Sequence, residues 1–498
     1  MQKFYLRLKP EARFRSGVLR TPGMTAQSSR PTPLQRKLYA AAAAAAVQAS
    51  KGATPALLKA LDGEDLRSRL RACCPQVAAL SAPELLRELR AEAAASEWVH
   101  SFCAAVAQRH PERACVAATG RTSDVSLRSL EEGTHFRNQW ELGADNVTTA
   151  PYSGWDYSNA FWMERAEVGI IGYPALANFD PAEPIDARTA ASRPVYTALN
   201  LQRVDLGFPL LGDVTAVFRH RALRSATVVS AVDTGLAESL CNQTGGVPPG
   251  WPPHRNCTVV GCECTAWRGR TTLGVHGHLD HVLLGNSRFW QPSGADLGAS
   301  LQRAFAPVWW NGYGRQPNAS AAAPPPLALP MLRAEIEPEV LATLAYGSIK
   351  LVVASFQDLF GCSAYGARLR RLCAARGWAL AWALGAVGTA RSASVAATYD
   401  QRILDPDSAA LTRLTPLPSP IIESYRALWR EATCARGANA TTYEWRALWR
   451  SMTQQMPTSL RLRPINARDE CAVDERIDDC VGVNVEGACV CYTPAPSV

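Results

Sequence analysis

Phe136-Arg137-Asn138-Gln139-Trp140-Glu141-Leu142-Gly143 and, further along, Arg193-Pro194-Val195-Tyr196-Thr197-Ala198-Leu199-Asn200-Leu201 are the stretches on which the fold turns. The first sets an arginine and a glutamate among aromatics. The second joins an X-Pro start, which biases the backbone toward the extended region, to an apolar alternation. Both read as parts of one core rather than as surface motifs.

More strands are expected downstream. Asp213 to Arg219 alternates and is β-branched, and Ala226 to Val232 has the same character before the turn Asp233-Thr234-Gly235. Leu332 to Glu337 and Ile349 to Ala354 read as strands, and Tyr365 to Leu380 as a helix leading into another apolar segment. Residues 53–110 read as helices. Leu57, Leu58 and Leu61 recur at helical spacing, Asp62-Gly63 breaks the run, and Pro75 interrupts the next one. Ser81-Ala82-Pro83-Glu84 has the form of a capping box, with Pro83 early in the helix where its missing N–H matters little.

These elements predict an α+β fold with a mixed or antiparallel split sheet, an N-terminal helical layer and a small disulfide-rich C-terminal module. The expected organisation is a targeting or disordered head (1–52), a helical layer (53–110) and an α+β core (111–395). An inserted loop (236–270) and a stiff Pro-rich linker (314–330) interrupt the core. A helical segment (396–460) follows, in which Arg426-Ala427-Leu428-Trp429-Arg430 returns as Arg446-Ala447-Leu448-Trp449-Arg450, and then the Cys-rich module (461–498).

Composition narrows the function classes. The chain has 498 residues, 47% of them apolar, and a formal charge of +8. The first fifty residues hold nine Lys/Arg and one acid, Glu11, so the head supplies the whole excess. No basic stripe with interleaved aromatics is evident, so nucleic acid is not expected as a partner. No run approaches the roughly 20 apolar residues that a membrane-crossing helix needs.

The head is Arg-rich and acid-poor, as organelle transit peptides are. A second reading begins at Met24. Arg36-Lys37 precedes Leu38-Tyr39 and an alanine run closing with Val47-Gln48-Ala49, which imitates a secretory signal; a plain Ala-rich helix is the alternative. Cysteine usage bears on compartment. Of fifteen cysteines, Cys471, Cys480, Cys489 and Cys491 crowd the end and read as a disulfide-stapled module whose pairing the sequence leaves open. Sequons at Asn146, Asn242, Asn256, Asn318 and Asn439 point the same way, to a glycoprotein of the secretory pathway or extracellular space.

The order of the two opening stretches, then Gly212 to Val217, Ala334-Glu335-Ile336-Glu337 and Tyr346 to Leu351, resembles the uncharacterised family described as domain of unknown function 3626. The resemblance covers roughly 125–235 and 330–390. The loop at 236–270 and the Cys-rich tail depart from it. An early arginine, a central aromatic and a late Glu-X-Glu are also similar to the order in the ADP-ribosyltransferase superfamily, a split-sheet fold that cleaves NAD. That resemblance implies cofactor-binding roles for Arg137, on the pyrophosphate, and Tyr196, stacking on nicotinamide. It implies catalytic roles for Glu337, on the ribose, and Glu335, orienting an acceptor whose identity stays open. The chemistry fits: breaking the nicotinamide–ribose bond develops an oxocarbenium ion that a carboxylate stabilises, and arginine grips phosphate oxygens bidentately. Structural roles stay open beside these. Arg137 and Glu141 stand four apart and can pair on a helix, Tyr196 can be core, and Glu-Ile-Glu is common on a half-exposed strand.

His276-Gly277-His278-Leu279-Asp280-His281 offers a competing constellation, similar to the His-X-His-X-Asp-His signature of metallo-β-lactamase-like hydrolases, which implies a divalent metal held by His276, His278, Asp280 and His281. His281 is the last histidine of the chain, so the downstream histidine ligands of that family are absent. A helix start rich in histidine is the structural alternative. A third class is a secreted, non-enzymatic binding protein in which Trp309, Trp310, Tyr313, Trp429 and Trp449 stack on sugar rings.

Overall fold

The structure is a computed structural model. It describes residues 33–73, 75–95, 97–102, 130–131, 133, 136–138, 140–141, 164, 167–177, 180, 185–199, 214–219, 227–230, 273–289, 332–336, 349–355, 364–383, 402–408, 419–434, 461–462, 481–485 and 488–492. The five sequons, the loop 236–270, the linker 314–330, the second RALWR copy, Cys471, Cys480 and Glu337 lie outside these residues.

Helices and one mixed sheet make up the described chain. The helical side begins with α1 (Pro33–Leu61), α2 (Glu64–Cys73), α3 (Pro75–Ala78) and α4 (Ala82–Ala95). Alanine, the best helix former, fills the first half of α1, which ends where Asp62-Gly63 turns the chain, with Gly63 N–H donating to the Ala60 carbonyl. Pro75 opens α3, as its position after α2 predicts. At the head of α4 the Ser81 N–H and hydroxyl both donate to Glu84, each at 2.7 Å. These donations hold the Glu84 carboxyl below its ordinary range.

The sheet contains β1 (Trp98–Phe102), β2 (Val195–Leu199), β3 (Val214–Phe218), β4 (Thr227–Ser230), β5 (Gly274–Val275), β6 (Leu332–Ile336), β7 (Ile349–Ser355), β8 (Ala379–Ala383), β9 (Arg402–Leu404), β10 (Arg461–Leu462), β11 (Val481–Val485) and β12 (Ala488–Tyr492). Their spatial order is β12-β11-β10-β9-β8-β7-β3-β1-β2-β6-β4-β5. Pairing is antiparallel except between β7 and β8. Parallel neighbours require a crossover, and α7 (Ala364–Arg376) supplies it, as the apolar pattern of 365–380 implies. The strands expected at 213–219, 226–232, 332–337 and 349–354 form as β3, β4, β6 and β7.

Several expectations are corrected. Residues 98–102 lie in the stretch read as helical, yet Trp98-Val99-His100-Ser101-Phe102 is a central strand, paired with both β2 and β3. Its aromatic and β-branched residues suit a pleated surface buried on both faces. The boundary placed at residue 52 falls inside α1. The segment 396–460 contains α8 (Ser419–Cys434) but also β9, so the sheet continues beyond residue 395. Where the resemblance implies a split sheet, β6 bridges β2 and β4 and keeps the sheet continuous.

The core is one large cluster between the sheet and its helices, including Leu57, Leu61, Leu85, Trp98, Val217, Val353 and Trp382. Beside β4 and β5, Ala46, Ile171, Tyr173, Val228, Leu273 and Val275 form a second cluster. Gly274, on β5, marks a close approach: a Cβ there would lie 2.7 Å from Val282 Cγ2 and 2.8 Å from Leu279 Cδ2. Val282 and Leu279 are buried and have little room to shift. Gly274→Ala is therefore expected to destabilise by about 1–3 kcal/mol; an unchanged melting temperature would contradict this packing.

Candidate functional site

The two opening stretches meet at a buried carboxylate. Glu167 begins a π-helical turn, Glu167–Ile171, that Gly172 ends with a positive φ of 92°. π-Helical turns are rare and recur at functional sites. Glu167 is fully buried and collects donors from both stretches. Trp140 Nε1 donates at 3.0 and 3.1 Å, Arg193 at 2.9 Å and the Tyr196 hydroxyl at 2.7 Å.

Arg193 is itself almost completely buried. Its guanidinium lies over the rings of Trp140, at 5.4 Å, and Tyr173, at 5.1 Å, and donates also to the Pro174 carbonyl. Aromatic faces and a carboxylate together compensate a desolvated cation.

Local sequence explains the convergence. Asp186 caps α5 (Ala187–Ala191) by accepting from Thr189 N–H at 2.9 Å. Pro194 then turns the chain into β2. Asn138 Nδ2 donates to the carbonyls of Ala190 and Arg193, at 2.9 and 2.8 Å, and fixes the end of that helix. Asn138 also forms a reciprocal capping box with Glu141: each backbone N–H donates to the other's side chain at 2.9 Å. Glu141 thus closes a helix cap. Phe136 packs on His100, Phe102 and Phe218. His100 Nδ1 lies 2.8 Å from the Tyr196 carbonyl, so β1, β2 and the Phe136 segment are tied together.

The expected site residues divide as follows. Tyr196 is half-buried, with its hydroxyl anchored on Glu167. Glu335 is its direct partner in the β2–β6 ladder. Arg137 is half-buried, and Asn138 and Trp140 of the same segment reach the Glu167–Arg193 cluster. Glu167, Tyr173 and the role of Arg193 are not evident from local sequence pattern. The available signal was an acid heading the apolar run Glu167-Val168-Gly169-Ile170-Ile171.

His276 and His278 flank Gly277, whose φ is 86°, in the turn between β5 and α6 (Asp280–Phe289). Arg90 grips Asp280 through Nε at 2.9 Å and a terminal nitrogen at 2.5 Å, and Thr54 donates to it at 2.6 Å. Burial pushes the Asp280 carboxyl up, but these donors outweigh it and the net shift is downward. His281 Nδ1 lies 3.0 Å from the Ser50 hydroxyl. Asp280 and His281 therefore join α6 to α1 and α4. Among the described residues, no three or more His, Cys, Asp or Glu side chains gather as a set able to hold a metal.

A second buried polar group lies on the far half of the sheet. Asp405 accepts from Arg370 at 2.8 Å and from Trp382 Nε1 at 2.5 Å. Arg370 lies over the rings of Trp382 and Trp429. Burial raises the Asp405 carboxyl, with Arg370 and Trp382 opposing. Trp429 is thus core, and the sugar-stacking role considered for it is corrected. Among the described residues no helix is long and apolar enough to cross a membrane. No family model matches the chain, and no curated protein matches it.

Proposed function

We propose that this chain is an NAD-consuming enzyme of ADP-ribosyltransferase type and a distant relative of the domain of unknown function 3626 family. The observation that supports the reading best is the β2–β6 ladder, where Tyr196 and Glu335 are direct partners. The same strand sequence leads two residues on to Glu337. The hydroxyl anchor on Glu167 restrains the Tyr196 ring before any ligand arrives, which lowers the entropic cost of stacking.

In this reading Arg137 grips the pyrophosphate, Tyr196 stacks on nicotinamide, and Glu337 accepts a ribose hydroxyl. The bond from the anomeric carbon to nicotinamide breaks with its electron pair leaving on the nicotinamide nitrogen. Water or an acceptor then bonds to that carbon and loses its proton to Glu335. The sequons and the cysteines crowded at residues 471–491 support a glycosylated, disulfide-stapled protein of an oxidising compartment.

Nicotinamide release by the purified chain tests the proposal. Wild type is expected to release it, and Glu337→Gln to slow release by about 10²–10³-fold, the range for removing one group that stabilises a transition-state charge. Equal rates would remove Glu337 from the mechanism. No release by wild type, with ligand retained on a glycan array, would make the chain a binding protein instead.

A further inference from the structure

The alanine run with the composition of a secretory signal is built into the fold. Leu34, Leu38, Tyr39, Ala42 and Ala43 pack against Ile171, Tyr173, Val228, Leu273 and Val275, with Ala46 fully buried among them. Its small side chains suit a helix lying close against β4 and β5, the end of the sheet. Gln35 is fully buried, and its Nε2 donates to the Ser192 carbonyl at 2.8 Å, just ahead of Arg193. Beyond the alanines, Ser50 and Thr54 meet His281 and Asp280.

A signal peptidase cutting after Ala49 would remove residues 33–49, more than half of α1. Val228, Val275 and Tyr173 would lose their cover, and Tyr173 is one of the two rings over Arg193. The buried Glu167–Arg193 pair would then be exposed to water from that side. A signal h-region is discarded after translocation and has no need to fit the mature core. This segment fits it at the level of a single buried amide.

We infer that α1 is retained in the folded protein, so that any leader peptide is cut before Pro33. The inference is independent of the NAD reading.

Two measurements on the full chain test it. The first is N-terminal sequencing and intact mass of the folded protein recovered from eukaryotic secretory cells; the expected N-terminus lies at or before Pro33. The second is thermal melting of Ala46→Glu made without export. A carboxylate forced into the second core cluster is expected to lower the melting temperature by several degrees or abolish the cooperative transition. A folded product beginning at Ser50, or an unchanged melting temperature in Ala46→Glu, would overturn the inference.

Discussion

Arg193→Met is expected to destabilise the chain by about 3–5 kcal/mol, the range for removing one partner of a buried ion pair. The guanidinium and the Glu167 carboxylate are 1% and 0% exposed and 2.9 Å apart. Methionine fills much of the volume, so the loss is mainly electrostatic. Trp140 and Tyr196 still donate to Glu167, but neither carries a charge.

The pH dependence has a definite sign. Burial pushes the Glu167 carboxyl above its ordinary value of 4.5, against Arg193, Trp140 and Tyr196. A carboxyl raised on folding stabilises fully below its unfolded value, and that contribution is lost as pH climbs through the folded value. Without Arg193 the folded value rises further, because desolvation loses its main Coulombic opponent. The deficit of Arg193→Met should therefore be largest near neutrality and shrink on acidification, as Glu167 takes up a proton. Urea melts at about pH 7.5 and about pH 5 report this directly. A deficit that stays constant or grows at the lower pH would show that Glu167 is not the group left charged.

Arg402→Met is expected to cost a similar amount, about 3–5 kcal/mol. Arg402, on β9, donates to both oxygens of Glu97, just before β1, at 2.5 and 2.7 Å. Both are buried, at 1% and 7% side-chain exposure. The pair joins two segments far apart in sequence: the residue leading into the central strand β1 and the strand β9. The control is the double variant Glu97→Leu/Arg402→Met. Removing both charges deletes the desolvation penalty together with the attraction, so most of the stability should return. A double variant as unstable as the sum of the single ones would mean that the two residues act separately.

Much of the fold is legible along the chain because its rules are local. Alternation marks β2 and β3, Asp62-Gly63 ends α1, and Pro75 begins α3. The capping box at Ser81 sets the start of α4. Both opening stretches contribute to one core, as their apolar patterns imply: Asn138 bonds directly to the Arg193 carbonyl, and Trp140 shares Glu167 with Tyr196. Residues 98–102 form a strand where a helix is expected, because five residues following a long helical stretch carry too few periods to separate the two. The pairing of β1 with β2 and β3 decides it.

By itself the sequence determined helices followed by strands and the capped start of α4, since each depends on neighbours within a few residues, and it marked both opening stretches as apolar enough to be core. Tertiary structure alone decided that Glu167 is the carboxylate on which those motifs converge, that Asp280 answers Arg90, and that an alanine run resembling a leader is part of the core. The reason is physical. What a buried charge or a small apolar side chain does depends on which distant groups replace the water it has lost, and these partners meet only when the sheet closes.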